Sequence, residues 1–270
     1  MLTRDRHAIS TTLLDAAVLA PSMHNRQPWR FEVGSRTVRV YRDLDRWLRA
    51  EDPRQTALYV SLGAVVLNLR VAAAELGYLA HVSLLPDPHD DDHVATLTLA
   101  AGLGYDMELR PLFPYLRRRR TNRMPFGDRP VPDWVLRDLE ATARWEHAVL
   151  QVVRDPARVR LLLGIAAEGS SNELFDPNPL LALLAVHRDD RVGWLAAGQA
   201  LERVLLSAAR WGLSASFLNQ ALDGEQLCRL ADEPGQAVLH PQMLLRLGYV
   251  RQPGAVSSPR CPVADVLLDD

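Results

Sequence analysis

The chain contains two similar apolar segments that lie half its own length apart. One begins at Tyr59 and the other at Trp194, an offset of 135 residues in a chain of 270. In both segments apolar residues recur at the three- and four-residue spacing of a helix, and both end at a glycine, Gly77 and Gly212. Any two helices rich in Ala and Leu look alike, but the matched glycines and the half-length offset favour a tandem repeat.

The rest of the periodicity predicts helices and strands in both halves, which indicates an α+β fold class. We expect half one to span residues 1–110 and half two residues 111–270. In half one the pattern predicts a helix over 9–19 and strands over 31–33, 37–41, 82–85 and 95–99. In half two it predicts helices over 132–144, 156–167 and 224–231 and strands over 148–153, 180–186 and 243–247.

The composition is that of an ordinary soluble globular protein, with 48% apolar and 24% charged residues. A net charge of −2 lacks the basic excess of a nucleic-acid or anionic-membrane binder, so neither partner is expected. Two cysteines, no apolar leader and no charge-free stretch of 18 residues favour a cytoplasmic protein that does not span a membrane. His89 and His93 flank three aspartates, and we expect a solvated turn there rather than a metal site.

A polar loop at residues 20–31 follows the first predicted helix and precedes a strand. Its sequence, APSMHNRQPWRF, holds amide side chains that both donate and accept hydrogen bonds, which suits the alternating N–H and C=O edge of a heteroaromatic ring. Loops on a rigid scaffold are also where binding sites usually lie. The alternative is a connector with a capping Ser and a buried Trp.

An arginine-rich run, RRRRTNR, occupies residues 117–123. In an extended segment, a spacing of two places Arg119, Thr121 and Arg123 on one side, where two guanidinium groups flank a hydroxyl and can bind a phosphate. A solvated basic turn is the alternative. Near the C-terminus, Arg260 lies between two prolines that stiffen its backbone, although this stretch could also be a plain tail.

The sequence offers no catalytic residue. It lacks the serine elbow G-x-S-x-G, the dinucleotide fingerprint G-x-G-x-x-G and the phosphate-binding P-loop. Every one of the 31 basic residues is Arg, which excludes lysine nucleophiles. Neither Cys228 nor Cys261 stands in a nucleophile motif. We therefore assign no catalytic residue and no metal ligand.

Together these motifs resemble those of the FMN-dependent nitroreductase family, and more closely its actinobacterial Acg-type branch. The resemblance covers nearly the whole chain. It implies that Arg119, Thr121, Arg123 and Arg260 bind the FMN phosphate, and that the flavin edge lies near residues 216–219. The cofactor-binding residues that it implies in the loop are Ser22, Asn25, Gln27, Pro28, Trp29, Arg30 and Phe31.

The two halves of the repeat carry different motifs. In the family two subunits form a dimer and FMN lies at their interface. Here half one carries the loop, whereas half two carries the arginine segment and Arg260. The resemblance therefore implies an intramolecular pseudo-dimer with one complete site, which would be a monomer or a homodimer in solution. Acg-type chains are longer where this chain has only residues 170–174, so we expect a more open flavin pocket or a lid supplied from elsewhere.

The resemblance implies an NAD(P)H-dependent oxidoreductase that reduces nitroaromatic or quinone-like acceptors by ping-pong hydride transfer. NAD(P)H and a small aromatic acceptor are then its partners. A non-catalytic protein that stores or sequesters FMN needs the same site, so the sequence leaves open whether the chain is an enzyme. A flavin-free interaction protein with a surface arginine patch is the third alternative.

Overall fold

The structure is a computed structural model that describes residues 2–102, 104–168, 179–218, 238–251 and 258–268. The chain divides into two compact units. Unit one consists of Met1–Arg117 together with Ser258–Asp270, and unit two consists of Arg118–Ser257. The C-terminal residues group with unit one, whereas the boundary expected from the sequence placed them in the second half.

The described strands of unit one form an antiparallel sheet in the order β1-β2-β4-β3. Its elements in chain order are α1 (Leu2–Ala17), β1 (Trp29–Val33), β2 (Thr37–Arg42), α2 (Thr56–Glu75), β3 (Leu79–Leu84), β4 (His93–Ala100) and α3 (Phe113–Leu116). A bulge between Val40 and Tyr41 shifts the register of β2 against β4. Helix α2 packs against α1 and against the sheet.

The described strands of unit two form a second antiparallel sheet in the order β5-β6-β8-β7. Its elements in chain order are α4 (Asp133–Arg144), β5 (Ala148–Val153), α5 (Pro156–Glu168), β6 (Leu180–Val186), α6 (Arg191–Arg210), β7 (Ser214–Phe217) and β8 (His240–Gly248). Leu162, Leu183 and Leu244 are buried in one apolar cluster of this unit, to which the entirely apolar strand β6 and apolar residues of α5 and β8 contribute. Helix α6 packs against α4 and against β6.

The two units have the same topology. Among the described elements of each, a helix, two strands, a long helix and two further strands follow in chain order; unit one also has the short α3, and unit two also has α5. Helices α2 and α6 are both 20 residues long, and the 135-residue offset relates both of their ends. Each is followed by a glycine in the left-handed conformation, Gly77 with φ +82° and Gly212 with φ +75°. The mixed helix-and-strand class is confirmed, and an intramolecular pseudo-dimer stays a prediction.

Helix α2 is long and apolar enough to cross a membrane by length and composition alone. In the structure, however, 89% of its most apolar window is buried inside the protein. The Asn68 side chain is also fully buried, and its Nδ2 donates a hydrogen bond to the Ala16 carbonyl at 3.0 Å. A helix that is apolar on all sides and covered by protein has the character of a core helix.

The predicted element bounds agree with the structure to different degrees. The strands predicted over 148–153 and 180–186 have those bounds. The first helix spans Leu2–Ala17 rather than 9–19, because the charged residues near the N-terminus interrupt the apolar periodicity without breaking the helix. The helix predicted over 224–231, the short stretch 170–174 and Asn219 of the expected flavin edge lie outside the described residues.

Candidate functional site

The loop between α1 and β1 has an unusual backbone. His24, Asn25 and Gln27 have φ values of 47°, 57° and 53°. Residues other than glycine adopt this left-handed region at a cost, and such strained residues cluster at binding and catalytic sites. The Ser22 hydroxyl accepts a hydrogen bond from the Gln27 backbone N–H at 2.9 Å, which holds the turn. Contacts from outside the loop must help to maintain this conformation.

The C-terminal tail provides such contacts within unit one. Arg260 Nη1 donates to Asn25 Oδ1 at 2.5 Å, and Asn25 Nδ2 donates to the Pro259 carbonyl at 2.7 Å. The Cys261 backbone N–H donates to Gln27 Oε1 at 3.0 Å. The structure therefore brings together three of the predicted site residues, Arg260, Asn25 and Gln27.

A second contact within unit one orients Arg260. Its Nη2 donates to the Leu19 carbonyl at 3.0 Å, so the loop amide of Asn25 and the backbone just after α1 both accept from this guanidinium. A guanidinium has five N–H donors in a planar fork, which is a geometry that matches a phosphate.

The end of the loop enters the hydrophobic core. Trp29 and Phe31 are fully buried, and Pro28 is buried as well. The indole N–H of Trp29 has no hydrogen-bond acceptor among the described residues. Arg30 Nε lies 3.0 Å from Oδ2 of the buried Asp43, so this arginine is engaged by a carboxylate. These four side chains anchor the loop to unit one.

Three further contacts surround this region of unit one. His24 Nε2 lies 2.8 Å from Glu51 Oε2. Arg46 Nη1 donates to Cys261 Sγ at 2.9 Å, and its Nε lies 3.4 Å from Asp43 Oδ2. Arg46 therefore helps to hold the tail next to the loop, a role that sequence reasoning did not identify.

The arginine-rich segment belongs to unit two from Arg118 onward and runs along the edge of its sheet. Thr121 forms a parallel bridge with Ala215 of β7, and the Asn122 N–H donates to the Ala215 carbonyl at 2.8 Å. The Asn122 side chain donates to the Met124 carbonyl at 2.7 Å and accepts from the Met124 N–H at 3.2 Å. The segment is extended and hydrogen-bonded at these residues. An extended backbone is the conformation that places every second side chain, such as Thr121 and Arg123, on the same side.

The three predicted phosphate ligands of this segment lie in different environments. Thr121 and Arg123 are exposed, and Arg123 forms no ion pair with any residue that the structure describes. Arg119 is only 5% exposed, and its Nε lies 3.4 Å from Oε1 of the fully buried Glu202 on α6. A buried carboxylate needs a cation nearby, which explains the inward position of Arg119. The structure brings Thr121 and Arg123 together at the surface and separates Arg119 from them.

Two charged residues of unit two that sequence reasoning missed are fully buried. Glu202 lies on α6 and Arg246 lies in β8, and both are 0% exposed. Arg246 Nη2 donates to the Met124 carbonyl at 3.3 Å, and its guanidinium carbon lies 5.0 Å from the centroid of the Phe126 ring. The sequence feature that could have identified them is a charged residue among apolar residues in a helix or strand. When such a group is buried, it needs a specific partner.

Comparison with known proteins identifies relatives of most of the chain, although no family model matches it. "Putative NAD(P)H nitroreductase Rv3131" of Mycobacterium tuberculosis is 30% identical, and the alignment covers 88% of this chain and 84% of that protein. "Putative NAD(P)H nitroreductase acg" of the same organism is 32% identical over 60% of this chain and 48% of its own length. The solved structure of a "putative nitroreductase" from Anabaena variabilis matches with a TM-score of 0.60, covering 89% of this chain and 73% of that one.

These relatives confirm the resemblance found in the motifs. The structural match has 14% sequence identity and supports the fold alone. The sequence match to the mycobacterial protein extends over most of both chains. The chain therefore belongs to the NAD(P)H nitroreductase family, and within it is similar to Acg.

Proposed function

We propose that the chain binds FMN and is an NAD(P)H-dependent oxidoreductase that reduces nitroaromatic or quinone-like acceptors. The contact between Arg260 and Asn25 carries this proposal. The tail arginine and the loop are separate motifs far apart in the sequence, and the family resemblance assigns both to FMN. Their direct hydrogen bond in unit one is what a shared ligand site requires.

The chemistry of the available donors fits FMN. A phosphate dianion favours guanidinium and hydroxyl donors, and each charge-assisted hydrogen bond contributes about 1.5–3 kcal/mol. Arg260 donates to Asn25 Oδ1 and to the Leu19 carbonyl, and Thr121 and Arg123 are exposed at the edge of a sheet. The buried N–H of Trp29 is a further donor in need of an acceptor.

In this proposal the phosphate is held by Arg260, Thr121 and Arg123. Arg119 contributes through its ion pair with Glu202, which holds the segment in place. Asn25 and Gln27 hydrogen-bond polar atoms of the ribityl chain or the ring. The remaining loop residues of the set position these two amides, namely Ser22, Pro28, Trp29, Arg30 and Phe31.

When bound, FMN would supply the redox chemistry, in which hydride from NAD(P)H reaches the acceptor in two half-reactions. The residues of the chain bind and orient the cofactor, and none of them forms a covalent bond with the substrate. We also propose that the repeat is a fused family dimer that keeps one FMN. The common topology of the two units supports this, as does the single copy of each motif.

The phosphate assignment is tested by titrating FMN and riboflavin, which lacks the phosphate, into wild-type protein and Arg123→Ala. We expect FMN affinity to fall about tenfold or more and riboflavin affinity to stay the same. Arg137→Ala is the matched control, because this arginine is also exposed in unit two and lies on α4. Unchanged FMN affinity in Arg123→Ala would remove the phosphate assignment.

Catalysis is tested by following NAD(P)H oxidation by the FMN-loaded protein with a nitroaromatic or quinone added. Turnover that depends on the acceptor supports the oxidoreductase. Tight FMN binding without turnover would instead support the alternative of a protein that stores or sequesters FMN.

A further inference from the structure

We infer that Arg246 is a positioning residue for the phosphate-binding segment. It holds the stretch that follows this segment against the sheet of unit two, so that Thr121 and Arg123 keep a fixed place at the edge of β7. The inference rests on the proposed function, since it assumes that this segment binds the FMN phosphate.

The position of Arg246 is the first argument. It lies in β8 between β6 and β7, and pairs in register with Ser216 of β7. Its guanidinium is fully buried, donates to the Met124 carbonyl at 3.3 Å and lies 5.0 Å from the Phe126 ring. A buried cation is costly unless its partners are well placed, so this side chain restricts where residues 124–126 can lie.

The packing of Phe126 is the second argument. A Cβ added at Gly248 would lie 2.6 Å from Phe126 Cγ, so only a glycine at this position allows the ring to approach β8 so closely. Phe126 also forms an antiparallel bridge with Val250, and the Gly127 N–H donates to the Tyr249 carbonyl at 2.7 Å. The end of the segment is therefore fixed by packing as well as by hydrogen bonds.

The other end of the segment is fixed by the pair formed by Arg119 and Glu202. Between these two anchors the exposed side chains include Thr121 and Arg123. Donors that are already held in place lose less conformational entropy when a ligand binds. Arg246 therefore contributes to phosphate affinity without touching the phosphate.

The test measures the ratio of FMN affinity to riboflavin affinity. A general loss of stability would weaken both affinities alike and would leave this ratio unchanged. We expect Arg246→Met to lower this ratio about tenfold. Arg203→Met is the matched control, because Arg203 is another buried arginine of unit two, 5% exposed, whose Nη1 lies 2.7 Å from Glu146 Oε1. This control should lose stability but keep the ratio of the wild type.

A second variant separates positioning from simple attraction by a positive charge. Gly248→Ala displaces Phe126 and removes no charge, and it should also lower the ratio. If Arg246→Met does not fold, Gly248→Ala is the variant that tests the inference. If Arg123→Ala lowers the ratio while Arg246→Met and Gly248→Ala keep it, the inference is overturned and the proposed function stands. If Arg123→Ala keeps the ratio, the proposed function itself fails.

Discussion

The Asn25 side chain accepts a hydrogen bond from Arg260 and donates a second one to the backbone of the residue before that arginine. The Arg260 guanidinium donates to Asn25 Oδ1 at 2.5 Å, while Asn25 Nδ2 donates at 2.7 Å to the carbonyl of Pro259, the residue before Arg260. One amide therefore fixes both the side chain and the backbone of the tail. An amide is suited to this role, because it has a donor and an acceptor and carries no charge.

Asn25→Asp should weaken FMN binding about tenfold. The variant loses the hydrogen bond to the Pro259 carbonyl. Its carboxylate also pairs with the Arg260 guanidinium, so this arginine binds a phosphate less tightly. FMN titration of Asn25→Asp, Arg260→Ala and the double variant measures the effect. We expect the double variant to be little weaker than Arg260→Ala, because both changes remove the same charge from the phosphate. Full FMN affinity in Asn25→Asp would contradict this account of the tail.

Gly77→Ala and Gly212→Ala should each lower the free energy of unfolding by about 1–2 kcal/mol. Both glycines have φ values near +80°, and a Cβ would meet no close atom at either position, so the cost arises from the backbone conformation. Gly164→Ala in α5 is the control, because that position is helical with open space around it, and the change should be neutral or stabilising. Chemical denaturation measures all three variants, and a stable Gly212→Ala protein would argue against a left-handed helix end.

Asp190→Ala should lower the free energy of unfolding by about 0.5–2 kcal/mol at neutral pH, because Asp190 caps α6 by accepting the Gly193 N–H at 2.8 Å. Burial acts to raise the pKa of Asp190, but the hydrogen bond from Gly193 and the guanidinium of Arg188 outweigh it and lower the pKa below 3.8. The stabilisation is therefore present above the unfolded-state pKa and disappears as the pH falls through the folded-state value. Denaturation curves of both proteins should converge in acid, and a difference that persists there would contradict the assignment.

Asp52 should show the opposite pH dependence. Burial raises its pKa above 3.8, although its carboxylate accepts the backbone N–H groups of Ala57 and Leu58 at the start of α2. Its folded-state pKa then lies above the unfolded-state value, so its contribution is fully present below about pH 3.8 and is lost as the pH rises through the folded value. Relative to Asp52→Asn, the wild type should gain stability on acidification. A pH-independent difference between the two proteins would count against this shift.

Local patterns predicted much of the fold. Strands β5 and β6 have the predicted bounds because they are apolar runs limited by charged or turn-forming residues, and Gly77 and Gly212 mark helix ends through their own conformational freedom. The position of Arg119 could not be predicted in the same way. Spacing describes a single segment, whereas the inward position of this arginine depends on Glu202, which lies far along the chain.

The candidate site was predictable as a set of motifs but not as a set of contacts. The loop and the tail were both identified, yet the hydrogen bonds of Asn25 and Gln27 to the tail depend on how the C-terminal residues fold back onto unit one. Arg246 was missed because a sequence pattern does not show which distant residues a buried side chain contacts, and its contacts to the Met124 carbonyl and the Phe126 ring span more than 100 residues of the chain.

The proposed function requires that the chain bind one FMN. Visible absorption of the purified protein, recorded after addition of FMN and gel filtration, tests it most directly. We predict a retained flavin band at about 450 nm that corresponds to about one FMN per chain. Retention of two FMN per chain would contradict the single fused site, and a protein that retains no FMN would contradict the cofactor itself.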